Sequence, residues 1–280
     1  MRGRGEFPNG LAKLWPHRTA QMPALIQDYL QSVIGFNQGR SLEWLPGSPV
    51  MLARALRSHD LLYAYEIHSS DYPLLETNLS DYGRRVKSFR TDGFQSVLSL
   101  LPTVSKRAMF LVDPPYEDKR DYERTFVMVR EGLQRMSNTC FVVWVPMVAR
   151  YDVERLLKRL QSLAGEKLRI DLCVQPAALD GLGLTGSHLL VVNPPFGLQA
   201  LCEEALPWLF KKLSQTPFDQ AKKRGVLAPH FKVSLQPPQP LQTFKPVRQP
   251  SLSQTVYQKT ARPRSSPSGL PSKPRARSSS

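Results

Sequence analysis

Two stretches limit the folds open to this chain: RAMFLV at 107–112 and TCFVVWVPM at 139–147. Neither alternates apolar with polar residues, so neither can rest one face in water. Such runs suit strands covered by helices on both faces, as in a parallel sheet. Helical spacing fills the intervals. MPALIQDYLQSVIGF places Leu25, Ile26, Tyr29, Leu30, Val33 and Ile34 on one side. LEWLPGSPVMLARALRSH predicts a turn and then a helix, with Ser48 as its cap and Pro49 in its first turn. SSDYPLLETNLSDYG and YERTFVMVREGLQRMS read as further helices. VERLLKRLQSLAG reads as a helix closed by its glycine, and LQALCEEALPWLFKKLSQ as one interrupted at Pro207. LLYAYE at 61–66 reads as a strand, RVKSF as a short segment, and RTDGFQSVLSLLP as a loop and helix. LRIDLCVQ and SHLLVVNPPF read as a late antiparallel pair. The alternation predicts an α/β, doubly wound, Rossmann-like sheet.

Charge divides the chain unevenly. Of 280 residues with formal charge +15, the segment 220–280 holds 12 Lys or Arg and no Asp or Glu. The same segment has ten prolines and ten serines. Too few apolar groups remain there for a core, so the sequence predicts three parts. These are an irregular 1–21, a folded 22–215 and a disordered basic tail at 216–280. The tail suits a polyanionic partner such as RNA, or a solvated end without one. Cys140, Cys173 and Cys202 lack metal spacing and read as buried free thiols of a reducing compartment. No metal site is expected. No apolar run reaches membrane-spanning length. The basic start, with Glu6 its single acid in the first twenty residues, is compatible with an organellar address but short of serine.

The chemistry centres on LVDPPYE. Asp113 ends an apolar strand, where open α/β sheets bind their ligands. Pro114 and Pro115 stiffen the exit and leave carbonyl oxygens unclaimed. Asp113 and the Pro114 carbonyl can accept the two hydrogens of an exocyclic amino group, while Tyr116 stacks on the base. Two acceptors direct the nitrogen lone pair toward an electrophilic methyl. An ordinary proline-rich turn is the competing reading. Glu66 ends an earlier strand, where a carboxylate can take two ribose hydroxyls. Asp92 can accept from an adenine amino group, with Gly93 allowing close approach. Asn193-Pro194-Pro195-Phe196 repeats the strand-to-Pro-Pro pattern, with Asn in the place of Asp.

With LPGSPVMLARALR, YEIHSSDYPLLETNL, TDGFQSVLSLLPTVSKR, LVDPPYE and LLVVNPPF in this order, the chain resembles bacterial large-subunit ribosomal RNA adenine-N6 methyltransferases of the J type. The resemblance runs from about Met22 to Ser214. It implies a class I methyltransferase fold, S-adenosylmethionine as cofactor and ribosomal RNA as substrate. It also implies cofactor contacts from Ser48 (methionine end), Glu66 (ribose), Asp92 and Gly93 (adenine) and Asp113. The catalytic edge is then Asp113, Pro114, Pro115 and Tyr116. Family members also carry a histidine-rich start and a first strand ending in a glycine-rich cofactor loop, and neither pattern occurs in this sequence. The helix at 22–36 reads as a remnant of a small helical insertion. The expectation is therefore an N-terminally incomplete sheet, a monomer and weak or no cofactor binding. Methylation of DNA adenine, and a non-catalytic RNA-binding protein derived from the enzyme, are the alternatives.

Overall fold

The computed structural model describes residues 9–39, 41–176, 183–214 and 229–239. A short helix α1 (Leu11–Leu14) precedes α2 (Ala24–Phe36) and α3 (Ser48–Ala55). Strand β1 (Leu62–Tyr65), helix α4 (Tyr72–Leu79) and strand β2 (Val86–Phe89) form one crossover unit, and β1 pairs parallel with β2. The one-turn helix α5 (Gly93–Ser96) follows. Then come β3 (Met109–Val112), α6 (Arg120–Arg135), β4 (Cys140–Met147) and α7 (Tyr151–Gln161). The chain closes on β5 (Gly165–Cys173), β6 (Gly186–Val192), α8 (Leu198–Leu213) and β7 (His230–Gln239).

The second sheet has the order β3-β4-β6-β5-β7, with β3 and β4 parallel and the later pairs antiparallel. The antiparallel pair of late strands agrees with the sequence. Among the described residues, one edge of β1 and one edge of β3 have no strand partner, so the sheet is divided between them.

Burial on β3 differs from the expectation. Phe110 and Val112 face the main core with α6 and α7. Met109 and Leu111, on the other face, are 56% and 38% exposed. Helix α8 covers that face only over the neighbouring strands, through Cys202 and Leu206 against Val142, Leu168, Ile170 and Val191. The run without alternation thus has one covered face here rather than two.

Four local expectations also change. Gly47, not Ser48, is the cap of α3; Ser48 is its first residue and its side chain makes no capping bond. Helix α7 stops at Gln161, and Gly165 instead opens β5 in the left-handed region (φ 89°). Pro207 lies inside an unbroken α8. Residues 1–21 are not wholly irregular, because Leu11 and Leu14 of α1 pack with Ile26, Leu30, Val33 and Ala205.

The tail boundary moves as well. Strand β7 lies inside 216–280 and adds to the sheet edge beside β5. The rest of the expected disordered tail lies outside the described residues. Cys140, Cys173 and Cys202 are free thiols, the last two buried.

Helix α6 joins the two sheets. Its buried side carries Tyr122, Phe126, Val129 and Leu133 into the same cluster as Phe141 and Val143 of β4. Tyr65, Phe94, Val97 and Leu98 reach that cluster from β1 and the segment after β2. Gly132 permits the close approach, since a Cβ there would lie 2.4 Å from the ring of the fully buried Phe141. Gly132→Ala should therefore destabilise the protein by about 1–3 kcal/mol despite the better helix propensity of alanine. Urea unfolding measures this, and an unchanged midpoint would show that α6 can move off the sheet without loss.

Candidate functional site

Strand β3 delivers Asp113 to the edge of the sheet. Its parallel pairing ends at Val112 opposite Val143, so Asp113 lies at the carboxyl end of β3, level with the middle of β4. Among the described residues, no donor is hydrogen-bonded to its carboxylate. The side chain reaches water, but the atoms packed around it raise its pKa by desolvation. It is a free acceptor on a stiff exit.

Tyr116 takes a different place from the one expected. It is 2% exposed, its hydroxyl donates to the Trp144 carbonyl at 2.9 Å, and its ring lies 4.7 Å from Tyr122 and 6.2 Å from Trp144. Burial pushes the phenol well above its usual range. Its backbone is left-handed (φ 54°), a conformation that costs a bulky residue about 1–3 kcal/mol unless its surroundings impose it. Here Tyr116 fixes the loop after the two prolines rather than offering a ring to a base.

The other acids come from the first sheet. Glu66 follows β1, half-buried, and one carboxylate oxygen accepts from the His68 N–H at 2.8 Å. Its second oxygen is available to a ligand hydroxyl. Asp92 follows β2 and caps α5, accepting from the Phe94 N–H at 2.9 Å. A Cβ on Gly93 would lie 3.2 Å from the Tyr65 Cβ, so the glycine lets this loop close onto β1. Ser48 is exposed at the start of α3, whose Val50 and Ala53 pack on Leu62 and Ala64 of β1.

Helix α6 brings the two groups together. Tyr122 packs on Tyr116, while Arg124, half a turn later, ion-pairs with Asp92. Tyr116, three residues after Asp113, and Asp92 therefore both contact the first turns of α6.

Asn193 lies elsewhere. Strand β6 is antiparallel to β4, and its last residue, Val192, pairs with Phe141 at the start of β4. The motif therefore leaves the sheet at the edge opposite Asp113. The Asn193 amide donates to the Ser137 and Thr139 carbonyls, both at 2.8 Å, and Phe196 points fully into solvent. The repeated motif closes the beginning of β4. Two open hollows, one beside Asp28 and Arg54 and one beside Arg18 and Ile34, contain none of the candidate residues.

A family model described as "RsmJ: Ribosomal RNA large subunit methyltransferase D, RlmJ" matches residues 1–224. The chain belongs to the RlmJ family. Ribosomal RNA large subunit methyltransferase J of Escherichia coli K12 is 37% identical over 210 residues, which cover 75% of this chain and 74% of that protein. The protein of the same name from Haemophilus influenzae is 36% identical over 211 residues, with the same coverage of each. The crystal structure of protein LPL1258 from Legionella pneumophila, at 26% identity, matches with a TM-score of 0.71 over 85% of this chain and 82% of that one. The RlmJ match begins at residue 1 and so takes in the segment before Met22, where α1 joins the core.

Sequence reasoning missed Arg124 in this RlmJ-family chain. It stands 32 residues from Asp92, and only the packing of α6 brings them together.

The raised pKa of Asp113 has a sign that can be measured. Its folded-state value lies above the unfolded one, so the ionised carboxylate disfavours folding at pH above that value. This penalty is relieved as pH falls through the folded-state value. Asp113→Asn should therefore raise the thermal midpoint at pH 7, with the difference closing in acid. Thermal scans across pH test this, and identical midpoints at every pH would show that the carboxylate is solvated like an ordinary one.

Proposed function

We propose that the chain methylates N6 of an adenine in large-subunit ribosomal RNA, using S-adenosylmethionine. The observation that carries this reading is Asp113: an unpartnered acceptor at the carboxyl end of a parallel strand, followed by two prolines. Family membership supports the substrate class.

Asp113 and the Pro114 carbonyl accept the two amino hydrogens of an adenine displaced from its stack. This fixes the nitrogen and turns its lone pair out of conjugation with the ring. Bound S-adenosylmethionine supplies an electrophilic methyl group to that nitrogen. The proton lost from nitrogen is held at the Asp113 carboxylate and passes to water. Tyr116, bonded to the Trp144 carbonyl, keeps the acceptors in place, so the work is positional and electrostatic. Glu66 would hold the ribose hydroxyls, Asp92 and Gly93 the adenine, and Ser48 the methionine end.

The fit is partial. Asp113 and one oxygen of Glu66 are free to accept, whereas both oxygens of Asp92 already have partners. The free edges of β1 and β3 among the described residues support the reading that a central strand and its glycine-rich loop are absent from this sequence. Cofactor binding by this chain is accordingly weak. The same break favours the second reading, a non-catalytic RNA-binding descendant, which total inactivity with intact RNA affinity would establish. The basic residues beyond β7 add sequence-independent RNA contacts.

Asp113→Ala should abolish labelled methyl transfer to ribosomal RNA, while calorimetry with S-adenosylmethionine shows most of the parent chain's weak binding retained. Transfer that survives the substitution would remove Asp113 from the reaction, and micromolar binding by the parent would refute the weakened cofactor site. Deleting 243–280, which spares β7, should weaken RNA binding and flatten its salt dependence. An unchanged slope makes the tail a bystander.

A further inference from the structure

We propose that Arg124 is a gate on the adenine end of the cofactor site, setting cofactor affinity by holding the two surfaces a purine would use there. This rests on the assignment of Asp92 and Gly93 to the adenine. The carboxylate and the ring concerned both lie at the start of α5. Asp92 accepts from the Phe94 N–H with one oxygen and ion-pairs with Arg124 through the other. The guanidinium carbon of Arg124 lies 4.3 Å above the centre of the Phe94 ring. Its other terminal nitrogen donates to Asp121 at 3.3 Å, one turn back on α6.

A guanidinium is flat, stacks on aromatic faces and donates along its edge to carboxylates. An adenine with its amino group has the same three properties. The two are therefore rivals for Phe94 and Asp92. The loop itself cannot easily move aside, because Gly93 is closed against Tyr65. The Arg124 side chain is the movable partner: it is 38% exposed and can swing toward water. Asp121, on the same helix and nearly buried, remains as an alternative partner, so leaving Asp92 does not strand the cation. Opening the gate gives up the Asp92 contact and keeps the one to Asp121.

A purely structural role makes a different forecast. Arg124 also ties α6 to the segment after β2, and Arg135 makes a comparable tie through the Leu98 carbonyl at 2.5 Å, farther along α6. If Arg124 were only a tie, removing either arginine would loosen the join and affect ligand binding alike.

The experiment is calorimetric titration of the full chain with S-adenosylhomocysteine, comparing the parent, Arg124→Ala and Arg135→Ala. Arg124→Ala should bind roughly three- to thirtyfold tighter, the span expected from losing an exposed ion pair together with a cation–π contact. Arg135→Ala should not gain affinity. Raising the salt to about 0.5 M should tighten binding by the parent and leave Arg124→Ala unchanged, because salt screens only the competing pair. Equal or weaker affinity in Arg124→Ala, or an equal gain in Arg135→Ala, overturns the gate. So does an absence of binding by every protein at millimolar ligand; the methyltransferase reading is then judged separately by transfer with Asp113→Ala. If Arg124→Ala melts without cooperativity, Arg124→Gln removes the charge but keeps the stem and serves the same comparison.

Discussion

The packing of α6 across the divided sheet is the contact on which the rest of the structure depends. No backbone ladder joins β1 to β3 among the described residues, so side chains must do what hydrogen bonds do elsewhere in the sheet. Tyr122, Phe126, Val129 and Leu133 bury one side of the helix against β3 and β4. Phe94, Val97 and Leu98 reach the same cluster from the first sheet. Apolar burial at roughly 25 cal/mol per Å² is strong but non-directional. The arginines on α6 add the direction: Arg124 to Asp92 and Arg135 to the Leu98 carbonyl fix how the segment after β2 meets the helix.

The rim around Asp113 depends on the same helix. Tyr116 sits in a strained left-handed conformation that Tyr122 and the Trp144 carbonyl hold in place. Tyr122 is on α6 and Trp144 is on β4, so the helix-on-sheet contact that closes the core also sets the acceptor edge. Strain at a site edge persists only where the surrounding packing over-determines it. An amino group that must be turned out of conjugation benefits from acceptors already fixed in position, because little reorganisation then remains to be done.

Parts of this were legible in the residues themselves. Continuous apolar runs marked β3 and β4, and helical spacing marked α2, α6, α7 and α8, because each signal lies within a dozen or so neighbouring residues. The Asp-Pro-Pro step marked the stiff strand exit, since proline restricts its neighbours wherever it occurs. Composition misled at 216–280: β7 has two consecutive prolines and few apolar residues, yet it pairs with β5 at the sheet edge, where proline is tolerated. The second motif misled for a topological reason. Both motifs end strands, but β6 runs opposite to β3 and β4, and the direction of a strand is not written in its own residues.

The sequence alone thus determined the α/β class, the main helices, the buried strands and the carboxylate with two prolines at a strand exit. These follow from short-range rules of periodicity, backbone restriction and apolar content. Only the tertiary structure decided that the two Pro-Pro motifs leave the sheet at opposite ends, that the Tyr116 ring is turned inward, and that Asp92 is held by Arg124. Those outcomes depend on strand order and on one helix packing across two sheets. They are set by contacts between residues tens of positions apart, which no local pattern encodes.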